Sequence, residues 1–237
     1  LEIELKNGRT VCIVSDNSWK YSPSSITFNS IYGGEDEDAR ITSSWKPVVI
    51  QKGPRGVLRQ QIAQPVKMME YFGVKSRHQL TPQQIAKASN AKHPIPAGTF
   101  VLDMGQNLAG FPQIKVSGKA GQQVRLYLSE TLTAQGTCNQ KQSGSPYYLN
   151  YTLSGKGEKA SDGKRIETWH PHFTYYGYRY IQVEGAVMKG DENPDGKPVI
   201  EDIQSCFVYN SAAKIGSFEC SNPMFNRAYQ IIDRAIR

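Results

Sequence analysis

Apolar and polar residues alternate with a period of two through much of this chain, and that pattern confines it to sheets. Leu1-Glu2-Ile3-Glu4-Leu5 alternates strictly, Asn7-Gly8 follows, and residues 10–14 are mostly β-branched. Successive side chains on a strand point to opposite faces, so alternation matches a strand buried on one side. Asn-Gly supplies the positive φ of a tight hairpin turn, which predicts that the first two segments pair. Strand patterns recur at 25–32, 47–51, 56–62, 99–104, 112–117, 123–129, 147–154, 174–183 and 200–209. Turn-rich stretches separate them, including the charged, glycine-bearing loops 156–164 and 189–197. This spacing suits antiparallel sandwiches.

Helical signals are few. Thr81-Pro82-Gln83-Gln84-Ile85 places a capping threonine before a proline at the first helical position, and predicts a short helix over 82–88. Residues 90–98 hold two prolines and a glycine and read as a linker or long loop. Asn222-Pro223 then opens a helical pattern that runs to Arg237, with Phe225, Ala228, Tyr229, Ile232 and Ile236 on one apolar stripe. Leu1 begins directly in a strand pattern and the last helix meets no stop signal. The expectation is a chain that starts and ends inside a longer protein.

Composition excludes some classes. With 38% hydrophobic and 21% charged residues, the chain is neither disordered nor fibrous. The formal net charge of +7 is spread over scattered Lys and Arg with no run of three. A nucleic-acid partner would be expected to gather that charge, so it is read as the balance left in a segment of a larger protein, with no nucleic acid bound. No apolar run approaches the ~20 residues of a membrane span, and no signal-peptide pattern is present. Cys12, Cys138, Cys206 and Cys220 lack Cys-x-x-Cys spacing, which argues against zinc or redox chemistry. Cys12, Cys206 and Cys220 lie in apolar surroundings and read as buried; Cys138 lies in a Gly/Gln/Ser-rich stretch and reads as exposed.

Several residues could carry chemistry. His170 and His172 bracket Pro171 and would share a strand face, as a metal pair or as hydrogen-bonded structural residues. The run Glu35-Asp36-Glu37-Asp38 after Gly33-Gly34 suits a hard cation such as calcium on a tight turn; the plainer reading is a solvated turn with Asp38 or Glu35 paired to Arg40. Asp103, Glu130 and Glu167 are carboxylates of the kind glycoside hydrolysis requires in pairs, but nothing in the sequence pairs them. Gly105 to Gly110 superficially matches a dinucleotide fingerprint; Asn107 replaces a required glycine and a strand pattern follows, which rejects it. Asn150-Tyr151-Thr152 is a glycosylation sequon. Trp19, Trp45, Trp169 and Tyr175-Tyr176-Gly177-Tyr178 could stack on sugars, or pack a core.

These segments together resemble a known family. Ser15-Asp16-Asn17-Ser18-Trp19-Lys20, Ile31-Tyr32-Gly33-Gly34-Glu35 and Asp38-Ala39-Arg40 resemble the N-terminal module of bacterial α-L-rhamnosidases. Asp103-Met104-Gly105-Gln106-Asn107-Leu108-Ala109-Gly110 looks like the family's DxGQNxxG signature. Ser129-Glu130-Thr131-Leu132 with Gly136, and the run from His170 to Tyr180, look like two further signatures. Cys220-Ser221-Asn222 resembles the start of its helical catalytic barrel. The resemblance implies an all-β chain of two antiparallel β-sandwich (jelly-roll, concanavalin-like) modules with a short C-terminal helix. Residues 1–90 would form the N-terminal module, incomplete because it normally begins upstream of Leu1, and residues 91–213 the concanavalin-like sandwich. Residues 214–237 would form a linker and the first helix of an (α/α)6 barrel.

The function so implied is the non-catalytic, substrate-recognising portion of an inverting α-L-rhamnosidase, periplasmic or extracellular. Its partners would be a rhamnose-containing glycan or glycoside, the catalytic barrel and a second copy of the chain. No catalytic residue would lie in this chain and no cofactor would be required. Some relatives bind L-rhamnose with calcium on a sandwich module. The matching residues here are Asn29, Glu35 and Asp38 for calcium and sugar, with Trp45 for sugar. Asn29-Ser30 stands where the family frequently has Asn-Asp, which removes one carboxylate. The competing reading is a stand-alone carbohydrate-binding module, which the helix at the chain's end argues against.

Overall fold

The structure, a computed structural model, describes all residues except 54, 55, 58, 60, 91, 92, 142–146 and 237. Its elements in chain order are β1 (Glu2–Glu4), β2 (Thr10–Cys12), β3 (Lys20–Tyr21), β4 (Ile26–Ser30), β5 (Gly34–Asp38), β6 (Lys46–Pro47), β7 (Val66–Gly73), β8 (Ser76–Gln79), α1 (Pro82–Ala88), β9 (Phe100–Ser117), β10 (Gln123–Ser129), β11 (Tyr148–Thr152), β12 (Glu158–Lys159), β13 (Arg165–Trp169), β14 (Tyr176–Glu184), β15 (Val187–Met188), β16 (Val199–Asn210) and α2 (Pro223–Ile236). The expected class holds: strands dominate, and a short helix closes the chain.

The chain divides into two compact units. The smaller comprises Leu1–Ser25 and Ile41–Gln60. The expected hairpin forms there: β1 and β2 pair antiparallel, Glu2 opposite Cys12 and Glu4 opposite Thr10, around Gly8 at φ +79°. β3 pairs with β6, and the Trp19 indole donates to the Val14 carbonyl at 3.1 Å. No described residue of this unit is buried. Cys12, expected inside, is therefore exposed. The strand expected at 47–51 shrinks to β6. In the one expected at 56–62, positions 58 and 60 lie outside the described residues and the others carry no strand.

The larger unit comprises Ile26–Arg40 and Gln61–Arg237. Its sheet runs β12-β13-β9-β14-β10-β11-β5-β4, with β7 joined through β16, and β8 and β16 joined directly to β9. Residues 26–40 and 61–90, which lie before the expected boundary after residue 90, group by contact with the later strands. The backbones of β4, β5, β7 and β8 are paired into the strands of the following sandwich: β5 runs parallel to β11, β7 antiparallel to β16 and β8 antiparallel to β9. α1 spans the predicted residues. Thr81 accepts from the Gln84 N–H, and the Gln84 side chain accepts from the Thr81 N–H, closing a capping box.

β9 organises the unit. Two separate strands are expected at 99–104 and 112–117, yet residues 100–117 form one strand of 18 residues. Its first part pairs with β8 and β14, its last part with β13 and β16. The turn signal of Gly105 becomes a local irregularity rather than a chain reversal. Gly105 adopts φ +79°, its N–H bound by the Asp103 carboxylate at 2.7 Å, and pairing with β14 slips between Tyr178 and Tyr180. Alternate residues of β9, β10 and β14 fill the core, where Phe100, Leu102, Ile114, Leu126, Leu128, Tyr178 and Ile181 are fully buried. Burial of such side chains stabilises by about 1.5–3 kcal/mol each before entropy is counted.

Candidate functional site

The acidic run is a strand, not a turn. Gly34–Asp38 sits between β4 and β11, which no charged sequence announces by itself. Gly34 permits the placement: at φ +97°, a Cβ there would collide with the Tyr148 carbonyl. Strand alternation sends Glu35 and Glu37 to one face and Asp36 and Asp38 to the other.

Glu35 has no exposed surface. Its carboxylate accepts from the Asn29 amide (3.0 Å), the His172 N–H (2.9 and 3.1 Å) and the Phe173 N–H (3.0 Å). The His172 Nδ1 lies 3.6 Å from Glu35 and 3.7 Å from Glu37. Glu37 also accepts from the Trp169 indole at 2.7 Å. Glu35 thus joins the segment before β14 to the hairpin of β4 and β5. A buried carboxylate meeting three N–H donors has its hydrogen-bonding capacity met by the protein itself.

The expected calcium and sugar set does not assemble as a unit. Asn29 and Glu35 meet, but Asp38 is gripped by Arg40, with Nε–Oδ1 2.9 Å and Nη2–Oδ2 2.7 Å. That hydrogen bonding holds the Asp38 carboxyl below its ordinary value. The plainer reading of Asp38 is the one observed. Trp45, 64% exposed, belongs to the smaller unit. Glu35 cannot touch a sugar directly because its oxygens face the protein's own donors. Among the described residues, the grouping able to offer ligand atoms to a cation is instead Glu35, Glu37 and His172, with one atom from each within 4.8 Å of the others. The N–H groups aimed at Glu35 oppose a cation there. His170, the other expected metal ligand, stacks on Phe111 at 5.1 Å, and its Nδ1 lies 2.9 Å from the Pro171 carbonyl.

The signature segments converge in space. Arg179 grips Asp103 through two hydrogen bonds of 2.8 Å, which depress the Asp103 carboxyl. The Asn107 amide donates to Glu130 at 2.7 Å. Glu167, buried, accepts from the Tyr151 hydroxyl (2.8 Å), the Ser154 N–H and hydroxyl (2.8 and 2.9 Å) and the Gly155 N–H (2.7 Å). Each carboxylate weighed for catalysis is thus engaged in holding two segments together. Sequence reasoning missed these pairings; spacing along the chain carries no trace of partners 12 to 76 residues apart.

Other candidates resolve similarly. Trp169 is buried and stacks on Tyr151 at 5.1 Å, and Tyr178 is fully buried, so both are core. Tyr175 remains open at 59% exposure. Asn150 of the sequon is buried within β11 and accepts from Arg125, which leaves it unavailable for glycosylation in the fold. The Cys138 thiol, expected outside, donates to the Tyr127 carbonyl at 3.4 Å, and burial pushes it up to about 12. No described helix is long and apolar enough to cross a membrane.

Residues 1–70 match the alpha-L-rhamnosidase N-terminal domain, and residues 93–209 match the bacterial alpha-L-rhamnosidase concanavalin-like domain. An alpha-L-rhamnosidase of Formosa agariphila is 28% identical over 240 residues, covering 98% of this chain and 23% of the relative. One of Streptomyces avermitilis is 31% identical over 244 residues, covering 98% and 21%. The solved structure of the alpha-L-rhamnosidase from Dictyoglumus thermophilum superposes with a TM-score of 0.72 at 26% identity, over 98% of this chain and 24% of that one. The chain therefore spans about a fifth to a quarter of the length of these relatives.

Proposed function

The chain belongs to the bacterial α-L-rhamnosidase family through its N-terminal and concanavalin-like domains, and from that premise we propose that it is the non-catalytic, substrate-recognising portion of a glycosidase that removes terminal α-L-rhamnose. The carrying observation is the in-order match of both domains, over 98% of this chain but only 21–23% of the relatives. In this reading hydrolysis, with inversion, belongs to a helical barrel elsewhere in the parent protein. The residues of this chain supply a scaffold and contacts to a rhamnose-bearing glycan. Asn29 and Glu35 act by positioning the segment at His172 and Phe173. No metal is required: calcium at Glu35 would have to displace three N–H donors.

The test is hydrolysis of an aryl α-L-rhamnoside by the parent protein and by this chain. The parent should turn the substrate over, and the chain should stay at the buffer rate. Turnover by the chain that Asp103→Asn or Glu130→Gln abolishes would assign the chemistry to this portion and overturn the reading. A parent with no activity on rhamnosides but intact sugar binding would favour a stand-alone binding module.

A further inference from the structure

The segment that Glu35 holds in place borders an open groove. Tyr71 of β7, Phe173 and Tyr175 line it, and these rings are 53%, 67% and 59% exposed. Lys67 and His172 stand in its wall, and the groove has a volume of about 640 Å³. That is within the range of ligand sites for small organic molecules. Exposed aromatic rings gathered at one concavity are costly to leave in water and mark a contact surface. Thr174 also lines the groove. It is 6% exposed, so its side chain shapes the groove's floor.

We propose that this groove is a saccharide-binding site for a terminal 6-deoxyhexose of the L-rhamnose type, held by stacking on Phe173 and Tyr175. The identity of the sugar rests on the function proposed above; the stacking geometry rests on the groove alone. A pyranose ring presents a face of C–H groups that suits a flat aromatic surface, and a 6-deoxy sugar adds a methyl group where other hexoses carry a hydroxyl. Its remaining hydroxyls need polar partners, which Lys67 and His172 provide at the same concavity. Single-stranded nucleic acid also stacks on rings, but it requires a row of cations along its backbone. Lys67 is the one fixed cation among the described residues of this groove. Glu35 enters as a positioning residue, since its carboxylate receives the N–H groups of His172 and Phe173.

The experiment titrates the chain with methyl α-L-rhamnopyranoside while following its aromatic side-chain resonances. Saturable shifts of Phe173 and Tyr175 are expected, with weaker or no shifts of Trp19 and Trp45. Phe173→Ala with Tyr175→Ala should weaken binding at least about tenfold. The pair Phe173→Leu with Tyr175→Leu keeps apolar bulk without a flat ring, and should weaken it similarly with the fold intact by circular dichroism. Silent Phe173 and Tyr175 signals in the folded chain would overturn the proposal. So would unchanged affinity in the leucine variant, or shifts produced by oligothymidylate and not by the sugar. The same rings protected from sugar in the parent protein by another of its domains would also overturn it, as an internal interface. Assaying the parent on an aryl α-L-rhamnoside separates the two claims. Hydrolysis with silent rings removes the groove alone. Responding rings with an inactive parent remove the proposed enzyme and leave the groove standing.

Discussion

Glu35 shows how one side chain can hold a site that it never exposes. Its carboxylate is fully buried and receives N–H groups from Asn29, His172 and Phe173. Removing an acceptor from buried donors costs more than the hydrogen bonds themselves contribute. Glu35→Ala should therefore lower stability by roughly 2–3 kcal/mol, and Glu35→Gln by less, as read from urea midpoints at constant slope. A change below about 0.5 kcal/mol in the alanine variant would mean that these donors are satisfied by water. Asp103 gives a second test, through pH. Its hydrogen bonds to Arg179 depress its carboxyl in the fold. That contribution is present above the unfolded value of about 4 and is lost as pH falls through the folded value. Arg179 is 41% exposed, so water screens the pair and the contribution is at most about 1 kcal/mol. Asp103→Asn should flatten the acid limb of a stability profile below about pH 4. A limb of unchanged slope would assign acid unfolding to other carboxylates. Glu184, raised by burial, works in the opposite direction: its share is present at acid pH and is lost as pH rises through its folded value.

Helix α2 is docked by its polar side. Asn222 accepts from the Met224 N–H at 3.0 Å, as its place before Pro223 predicts. Arg234 contacts both oxygens of Glu70 at 2.9 Å and lies 4.4 Å over the Phe207 ring. Lys214 meets Asp233 at 3.0 Å. Meanwhile Phe225, Ile232 and Ile236 of the expected stripe are 56%, 56% and 80% exposed. Fourteen residues make a marginal helix without packing, so the few polar anchors matter. Arg234→Ala should remove amide protection across 223–236 while leaving β16 protected. Protection that survives in the variant would show that the helix is held by contacts other than Arg234.

The two units of the molecule differ in what holds them. The larger encloses a continuous apolar core of residues from β9, β10, β11, β14 and β16. The smaller has no buried residue among those described, and its strands are two or three residues long. Opening such a unit exposes little apolar surface, so it should open locally without global unfolding. Native-state hydrogen exchange should find amides of β1 and β2 exchanging far faster than those of β9, β10 and β14. Uniformly slow exchange across 1–25 and 41–60 would contradict this. The formal charge of +7 belongs to the same scale, where it concerns solubility and association rather than fold.

Local rules settled what local atoms decide. The hairpin around Gly8, the capped helix over residues 82–88 and the strand over 123–129 lie where the sequence predicts them. Their turn, cap and alternation are all encoded within a few residues. The motif residues also identified the family before any coordinates did. Tertiary structure decided the rest. Five residues reading Gly-Glu-Asp-Glu-Asp become a strand flanked on both sides because β11 and β4 supply backbone partners and the His172 and Phe173 N–H groups give the Glu35 carboxylate its hydrogen bonds. Two expected strands fuse into β9 because β14 pairs with the chain both before Gly105, at 100–103, and after it, at 108–110, so that the glycine is a bulge within one strand. Residues 26–40 and 61–90 join the larger unit because their hydrogen-bond partners lie there, a hundred or more residues along the chain for β5 and β7. A sequence displays the propensity of each segment; only the folded chain shows which distant donor meets which acceptor.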